Sequence, residues 1–114
     1  MKRRKQARNI PVELGSRNVY ADLGFADAED MLVKAQLVTK IAELIRGQNL
    51  TQERAAQILG LTQPKVSALL RGQFRGISER RLLNCLTSLG RDVQIVIKQA
   101  PGRRAEGKLT VLFS

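Results

Sequence analysis

Residues 50–72, LTQERAAQILGLTQPKVSALLRG, constrain the fold of this chain more than any other stretch. Apolar side chains recur in this stretch at helical spacing in two short runs. The first run is Ala55, Ala56 and Leu59, and the second is Val66, Leu69 and Leu70. Thr51 and Thr62 precede the runs, and a threonine hydroxyl there can accept a hydrogen bond from an otherwise unpaired backbone N–H. Gly60 follows the first run, where a helix end favours a residue that adopts positive φ. The stretch therefore predicts two short helices joined by a turn of about 3–4 residues.

Two further helices are predicted on either side of this pair. Residues 27–46 form the longer one, with acidic residues in the first turn and Gly47 at the end. Ser78 is expected to cap the other helix, which runs to Leu89. The core face of the longer helix is predicted to consist of Met31, Leu32, Ala35, Val38, Ile41, Ala42 and Ile45. The core face of the helix after Ser78 is predicted to consist of Leu82, Leu83, Leu86 and Leu89. Cys85 lies beside the second face and is interpreted as a small buried hydrophobe.

The spacing of apolar residues changes after Gly90, from a helical pattern to one close to alternation. Residues 92–98 are β-branched and nearly alternating, and residues 108–113 alternate as well, which predicts two strands. A two-stranded hairpin is too small to be stable alone. It is expected to pack on its own helical domain or to pair with a second chain, which would make a symmetric dimer. The long first helix, which has a wide apolar stripe, is the alternative dimer interface.

The charge of the chain points to a polyanionic partner. Lys and Arg number 20 against 10 Asp and Glu, a formal net charge of +10. Such a surplus on a short chain favours nucleic acid, and a basic surface that only maintains solubility is the simpler alternative. No apolar run approaches the roughly 18 residues that a membrane span needs, so no membrane role is expected.

The chemistry-bearing residues argue against an enzyme. One cysteine and no histidine disfavour a disulfide framework, a Cys/His metal site and most nucleophilic triads. Asp27, Glu29 and Asp30 are the tight acidic cluster, and their place in a first helical turn explains them. We expect no catalytic residue, no cofactor and no metal in a reduced, cytoplasmic protein.

The N-terminus is basic and precedes the helices. Residues 1–8, MKRRKQAR, predict either a solvated tail or an arm that contacts DNA phosphates or a minor groove. Tyr20 and Phe25, in the loop-rich stretch that follows, are expected to pack onto the first helix. The expected division is a basic and loop-rich segment at 1–26, a helix-turn-helix domain at 27–90 and a β extension at 91–114, which is the expected dimerisation element.

Three segments of the chain resemble one protein family. They are NVYADLGFADAEDMLVKAQLV, LTQERAAQILGLTQPKVSALLRGQFRGIS and LGRDVQIVIK. Together they resemble the Cro/phage-repressor (XRE) type of helix-turn-helix regulator, over about residues 17–98. The resemblance implies a mainly α fold, a four- to five-helix lambda-repressor-like domain with the C-terminal β-strand or hairpin extension. One departure is Arg54, which stands where a capping box would have Glu or Gln.

In this family the second motif helix lies in the DNA major groove, and its N-terminal residues face base edges. The DNA-binding residues expected from the resemblance and from the exposed half of that helix are Gln52, Gln63, Pro64, Lys65, Ser67, Ala68, Arg71 and Arg75. Gln63 matches the base-reading position, whereas Gln52, Arg71 and Arg75 are expected to hold phosphates without sequence preference.

The resemblance also implies a function. It predicts a dimeric repressor that binds double-stranded DNA at a pseudo-palindromic operator. Many relatives of this kind are HigA-like antitoxins, which suggests an autoregulatory antitoxin with a HigB/RelE-like toxin as its partner. The alternatives are a stand-alone phage or host regulator, or a protein that acts chiefly as a protein-binding inhibitor.

Overall fold

The structure is a computed structural model that describes residues 28–102 and 106–114. These residues contain four helices: α1 at Ala28–Gly47, α2 at Gln52–Leu59, α3 at Gln63–Leu70 and α4 at Glu79–Ser88. The predicted mainly helical fold is confirmed, and each predicted helix is present. The predicted N-terminal segment and Asp27 lie outside the described residues.

Side-chain caps fix where three of the helices begin. Each cap residue has an extended backbone, and its hydroxyl oxygen accepts a hydrogen bond from the N–H three residues later. The donor–acceptor pairs are Arg54 N to Thr51 Oγ1 at 3.0 Å, Lys65 N to Thr62 Oγ1 at 3.3 Å, and Arg81 N to Ser78 Oγ at 3.1 Å. Such a cap contributes about 1 kcal/mol. The three predicted caps are therefore present.

The turns after α1 and α2 use left-handed residues. Gly60 has a φ of 69° and ends α2, as predicted. Gly47 is the last residue of α1, but the left-handed residue there is Asn49, with a φ of 56°. Asparagine tolerates this conformation better than other residues with a side chain.

Nearly all of the buried apolar side chains lie in a compact unit of residues 34–93, and the other described residues belong to a second unit. The largest fully buried side chains of the core come from all the helices except α2, and are Val38, Ile41, Ile45, Val66, Leu69, Leu82 and Cys85. Burying one large aliphatic side chain contributes about 1.5–3 kcal/mol. Apolar burial therefore contributes more to stability than the caps do.

Parts of the predicted core faces are only half-buried. Met31, Leu32, Ala35, Leu70 and Leu83 have intermediate exposure. Gln36 is instead buried, which the apolar pattern did not predict.

The predicted C-terminal β-hairpin is wrong for the residues that the structure describes. In 28–102 and 106–114 no strand is present, and Leu112 has only an isolated β-bridge. Ile95, Val96 and Ile97 are 78%, 74% and 91% exposed, so neither face of the alternating segment is covered. Alternation makes a segment suitable for a sheet, but a strand forms only when a neighbour satisfies its backbone groups, and an isolated hairpin is marginal in water.

Candidate nucleic-acid interface

Helices α2 and α3 form a closely packed pair. Helix α2 packs against both α3 and α4. Ala55 and Ala56 are buried, and such small side chains let the axis of α3 approach closely. Val66 and Leu69 are fully buried and fix the inner face of α3. The opposite face of α3 is thereby directed away from the core.

The N-terminal half of α3 is exposed. Gln63, Pro64 and Lys65 all lie at the surface. Neither the amide of Gln63 nor the ammonium group of Lys65 has a hydrogen-bond or ion-pair partner among the residues that the structure describes. Pro64 is the second residue of the helix, where its missing N–H removes no intrahelical bond. These side chains can therefore contact a ligand without breaking an existing interaction.

The C-terminal half of α3 is less open. Ser67 and Ala68 are half-buried. Nη1 of Arg71 donates to Oγ of Ser67 at 2.5 Å, and Nη2 donates to Oε1 of Gln73 at 3.4 Å. The guanidinium is thus held beside the helix, while its other N–H groups remain available. No sequence pattern indicated this pairing of Ser67 with Arg71.

The start of α2 has the character of an anion site. Gln52 is exposed at the first helical position, and the backbone N–H groups of Gln52 and Glu53 have no protein acceptor within the described part of the chain. A helix N-terminus attracts negative charge, although the Glu53 carboxylate opposes it here. Arg54 donates from Nη1 to Oε1 of Gln57 at 3.0 Å, which holds it along the outer side of α2.

Three cationic side chains around the motif have no ion-pair partner among the described residues. Within residues 28–102 and 106–114, the ion pair found is Lys40 with Glu43, whose Nζ and Oε1 atoms are 3.6 Å apart. Lys65, Arg71 and Arg75 are exposed and take part in no ion pair there. Together with Arg54 they leave a positive surface over α2, α3 and the following loop, which suits a polyanion.

Three long side chains that no sequence motif indicated donate to backbone carbonyls at helix ends. Arg81 Nη2 donates to the carbonyl oxygen of Gly60 at 2.7 Å, Arg46 Nη2 to that of Leu70 at 2.8 Å, and Gln48 Nε2 to that of Leu89 at 2.9 Å. The last carbonyls of a helix have no intrahelical donor, so these bonds satisfy groups at the ends of α2, α3 and α4. No local sequence signal predicts them, because each partner is more than 20 residues away.

The candidate metal ligands and the single cysteine of the described residues are placed as follows. Within them, no group of three or more Cys, Asp and Glu side chains is placed to hold a metal ion. Cys85 is buried, and its burial raises the pKa of the thiol, an effect that the nearby Arg81 charge partly opposes. A buried thiol with a raised pKa is a poor nucleophile.

Comparison with known proteins defines the family. Residues 19–98 match the helix-turn-helix domain family. A solved structure that has been assigned by name to the XRE family of transcriptional regulators is 39% identical to the chain, with a TM-score of 0.72. The match covers 77% of this chain and 99% of that one. The chain belongs to the XRE-type helix-turn-helix family.

No curated protein shows significant sequence similarity to the chain. In the part of this XRE-type protein that the structure describes, no helix is long and apolar enough to cross a membrane.

Proposed function

We propose that this XRE-type protein is a sequence-specific DNA-binding transcriptional repressor and not an enzyme, with α3 as its recognition helix. The observation that carries the proposal is the exposed start of α3, where Gln63 and Lys65 present polar groups without partners in the described structure. Family membership and the unneutralised positive charge around the motif support it.

The proposed base contacts come from the first half of α3. The Gln63 amide can bond N6 and N7 of adenine together, and Lys65 can donate to guanine or to a phosphate. Ser67 can bond either a base or a phosphate. Pro64 and Ala68 offer apolar contact to a thymine methyl group. Each well-formed hydrogen-bonded pair of a side chain with a base favours the correct base over a wrong one by about 1–3 kcal/mol of binding free energy.

The proposed phosphate contacts surround α3. Gln52 and the N-terminal backbone of α2 would hold one phosphate, while Arg71 and Arg75 would hold others beyond the end of α3. These contacts fix the position of the protein on the duplex without reading its sequence.

The proposed active form is a homodimer in the cytoplasm. Two copies would place their α3 helices in half-sites about one helical turn apart, on a pseudo-palindromic operator. The dimer interface is assigned to the segment 91–114, with α1 as the alternative. The exposed Ile95, Val96 and Ile97 support the first choice, because a second chain would cover them. The domain at 27–90 and the N-terminal segment at 1–26 complete the proposed organisation.

The proposed biological role is the autoregulatory antitoxin of a pair with a HigB/RelE-like toxin. The support is the resemblance of three separate segments to a subgroup of small Cro/repressor-type proteins, many of which are HigA-like antitoxins. A HigB/RelE-like reading frame beside the gene, whose product is neutralised when this chain is co-expressed, is the expected finding. Absence of such a frame would favour a stand-alone regulator. Neutralisation by a variant that no longer binds DNA would favour the protein-binding inhibitor.

The central test compares binding to the protein's own promoter and to an unrelated DNA fragment across a salt series. Tighter binding to the promoter that persists as salt rises is expected, because base contacts do not depend on counterion release. Equal affinities that fall together with salt would contradict the proposal.

Two variants sharpen this test. The double substitution Gln63→Ala, Lys65→Ala should remove the promoter preference, with a loss of roughly 30-fold or more per half-site, because two polar pairs contribute about 2–6 kcal/mol. The control, Arg80→Ala with Asn84→Ala, removes one cationic and one amide side chain at exposed positions of α4, outside the motif and outside the proposed dimer interface. Circular dichroism should be unchanged in both. A double variant that still distinguishes promoter from random DNA would rule out α3 as the reading helix.

A further inference from the structure

Arginines from other helices bond the turn that leads into α3 and the last residue of α3. Near its start, Arg81 of α4 donates to the carbonyl of Gly60, two residues before the cap Thr62, at 2.7 Å. At its end, Arg46 of α1 donates to the carbonyl of Leu70 at 2.8 Å. Both carbonyls belong to helix ends that lack intrahelical donors.

The Arg81 bond joins α4 directly to the turn of the motif. Arg81 is the third residue of α4, and its own backbone N–H is fixed by the cap at Ser78 with a 3.1 Å bond. Its guanidinium therefore extends from a rigid point. Gly60 is left-handed and ends α2, where positive charge interacts favourably with the helix dipole. The bond thus sets the path of the chain from α2 into α3.

We infer that Arg81 and Arg46 are positioning residues for DNA readout, which fix the angle of α3 without contacting bases themselves. Buried contacts hold only the inner face of α3, through Val66 and Leu69. An eight-residue helix fixed along one face can still rock about its contact line, which would move Gln63 relative to a base edge. A bond to the turn just before α3 and a bond to its last residue oppose that motion. This inference rests on the proposed function.

The test uses Arg81→Gln in the full chain, with Arg80→Gln as its matched control. Arg80 is adjacent, exposed and without a partner among the described residues, so the two variants lose the same charge. Arg81→Gln should lower the ratio of promoter to random-DNA affinity by roughly three- to tenfold, with the salt slope unchanged. Arg80→Gln should leave that ratio unchanged. Arg81→Lys, which keeps the charge and a donor, should restore part of the ratio.

A second readout needs no DNA. The amide of Lys65 donates to Thr62 Oγ1 at 3.3 Å, and the amide of Val66 donates to the Thr62 carbonyl at 3.1 Å. Hydrogen exchange of these two amides should be faster in Arg81→Gln than in Arg80→Gln, relative to amides of α1. Arg46→Gln should likewise speed hydrogen exchange of the amides in the last turn of α3. It should also lower the ratio of promoter to random-DNA affinity.

The outcomes separate the possible roles of Arg81. Equal losses of promoter and random-DNA affinity, with a salt slope reduced by about 1, would make Arg81 a phosphate contact and overturn the inference. A lower melting temperature with unchanged ratio and exchange would make it merely structural, and would also overturn it. If the unmodified protein showed no promoter preference, the proposed function would fail. The hydrogen-exchange rates of the Lys65 and Val66 amides would then decide whether Arg81 positions α3. Equal rates in Arg81→Gln and Arg80→Gln would overturn the inference.

Discussion

The left-handed backbone of Gly60 leads to a prediction with opposite signs at two glycines. Gly60 has φ and ψ of 69° and 31°, and its N–H donates to the carbonyl of Ala56. A methyl group added there would meet only Nη2 of Arg81, at 4.0 Å, which is ordinary contact. The cost of Gly60→Ala therefore comes from the backbone conformation and not from a clash.

The size of the effect follows from the conformation. Holding an alanine in the left-handed region costs about 1–2 kcal/mol. Gly47 is the matched control, because it is helical, does not have positive φ, and has nothing within 4 Å of an added methyl group. Gly47→Ala should instead stabilise by about 0.4–1 kcal/mol, since alanine loses less backbone entropy on folding. The two variants should therefore differ by about 2 kcal/mol.

Equilibrium unfolding in urea, followed by circular dichroism, measures this difference. The urea concentration at the unfolding midpoint should fall for Gly60→Ala and rise for Gly47→Ala, while the dependence of the unfolding free energy on urea stays the same. The melting temperatures should change by about 4–8 °C for each kcal/mol. A Gly60→Ala protein as stable as Gly47→Ala would refute the argument that this turn requires glycine.

Three further predictions follow from the caps, the buried thiol and the C-terminal segment. Thr62→Ala should lower the free energy of unfolding by about 1 kcal/mol, and an unchanged urea midpoint would contradict the cap. Burial raises the folded pKa of Cys85, so its contribution to stability is complete below the unfolded pKa and is lost as pH rises through the folded pKa. Cys85→Ala should remove this loss of stability at alkaline pH. Urea unfolding of the variant and of the unmodified protein with the same dependence on pH would contradict the prediction. Truncation after Gly90 should weaken the dimer, whereas an unaltered sedimentation mass would move the interface to the helices.

The helices could be predicted from sequence because their signals are local. Thr51, Thr62 and Ser78 each bond an N–H three residues away, and the spacing of Val66 and Leu69 reports the buried face of a single helix. The same local signal failed for residues 92–98. Alternation describes which side chains could share a face, but pairing depends on a neighbouring strand that the pattern does not specify.

The candidate site could be predicted only in part. That Gln63 and Lys65 would be exposed followed from their place at the start of a capped helix. The bond between Arg71 and Ser67 was missed, although the two residues are one helical turn apart. Serine and arginine at that spacing are compatible with many arrangements of an exposed guanidinium, so spacing alone does not select one.

Four helices and most of their buried faces followed from the amino-acid sequence, because caps, glycines and apolar spacing act within about one helical turn. The bonds that hold α3 in place depend instead on how the helices pack together. Arg46 and Leu70 are 24 residues apart, and Arg81 and Gly60 are 21 apart. An exposed arginine can donate in any direction, so its partner is selected by how the folded helices approach each other, and no local pattern records that geometry.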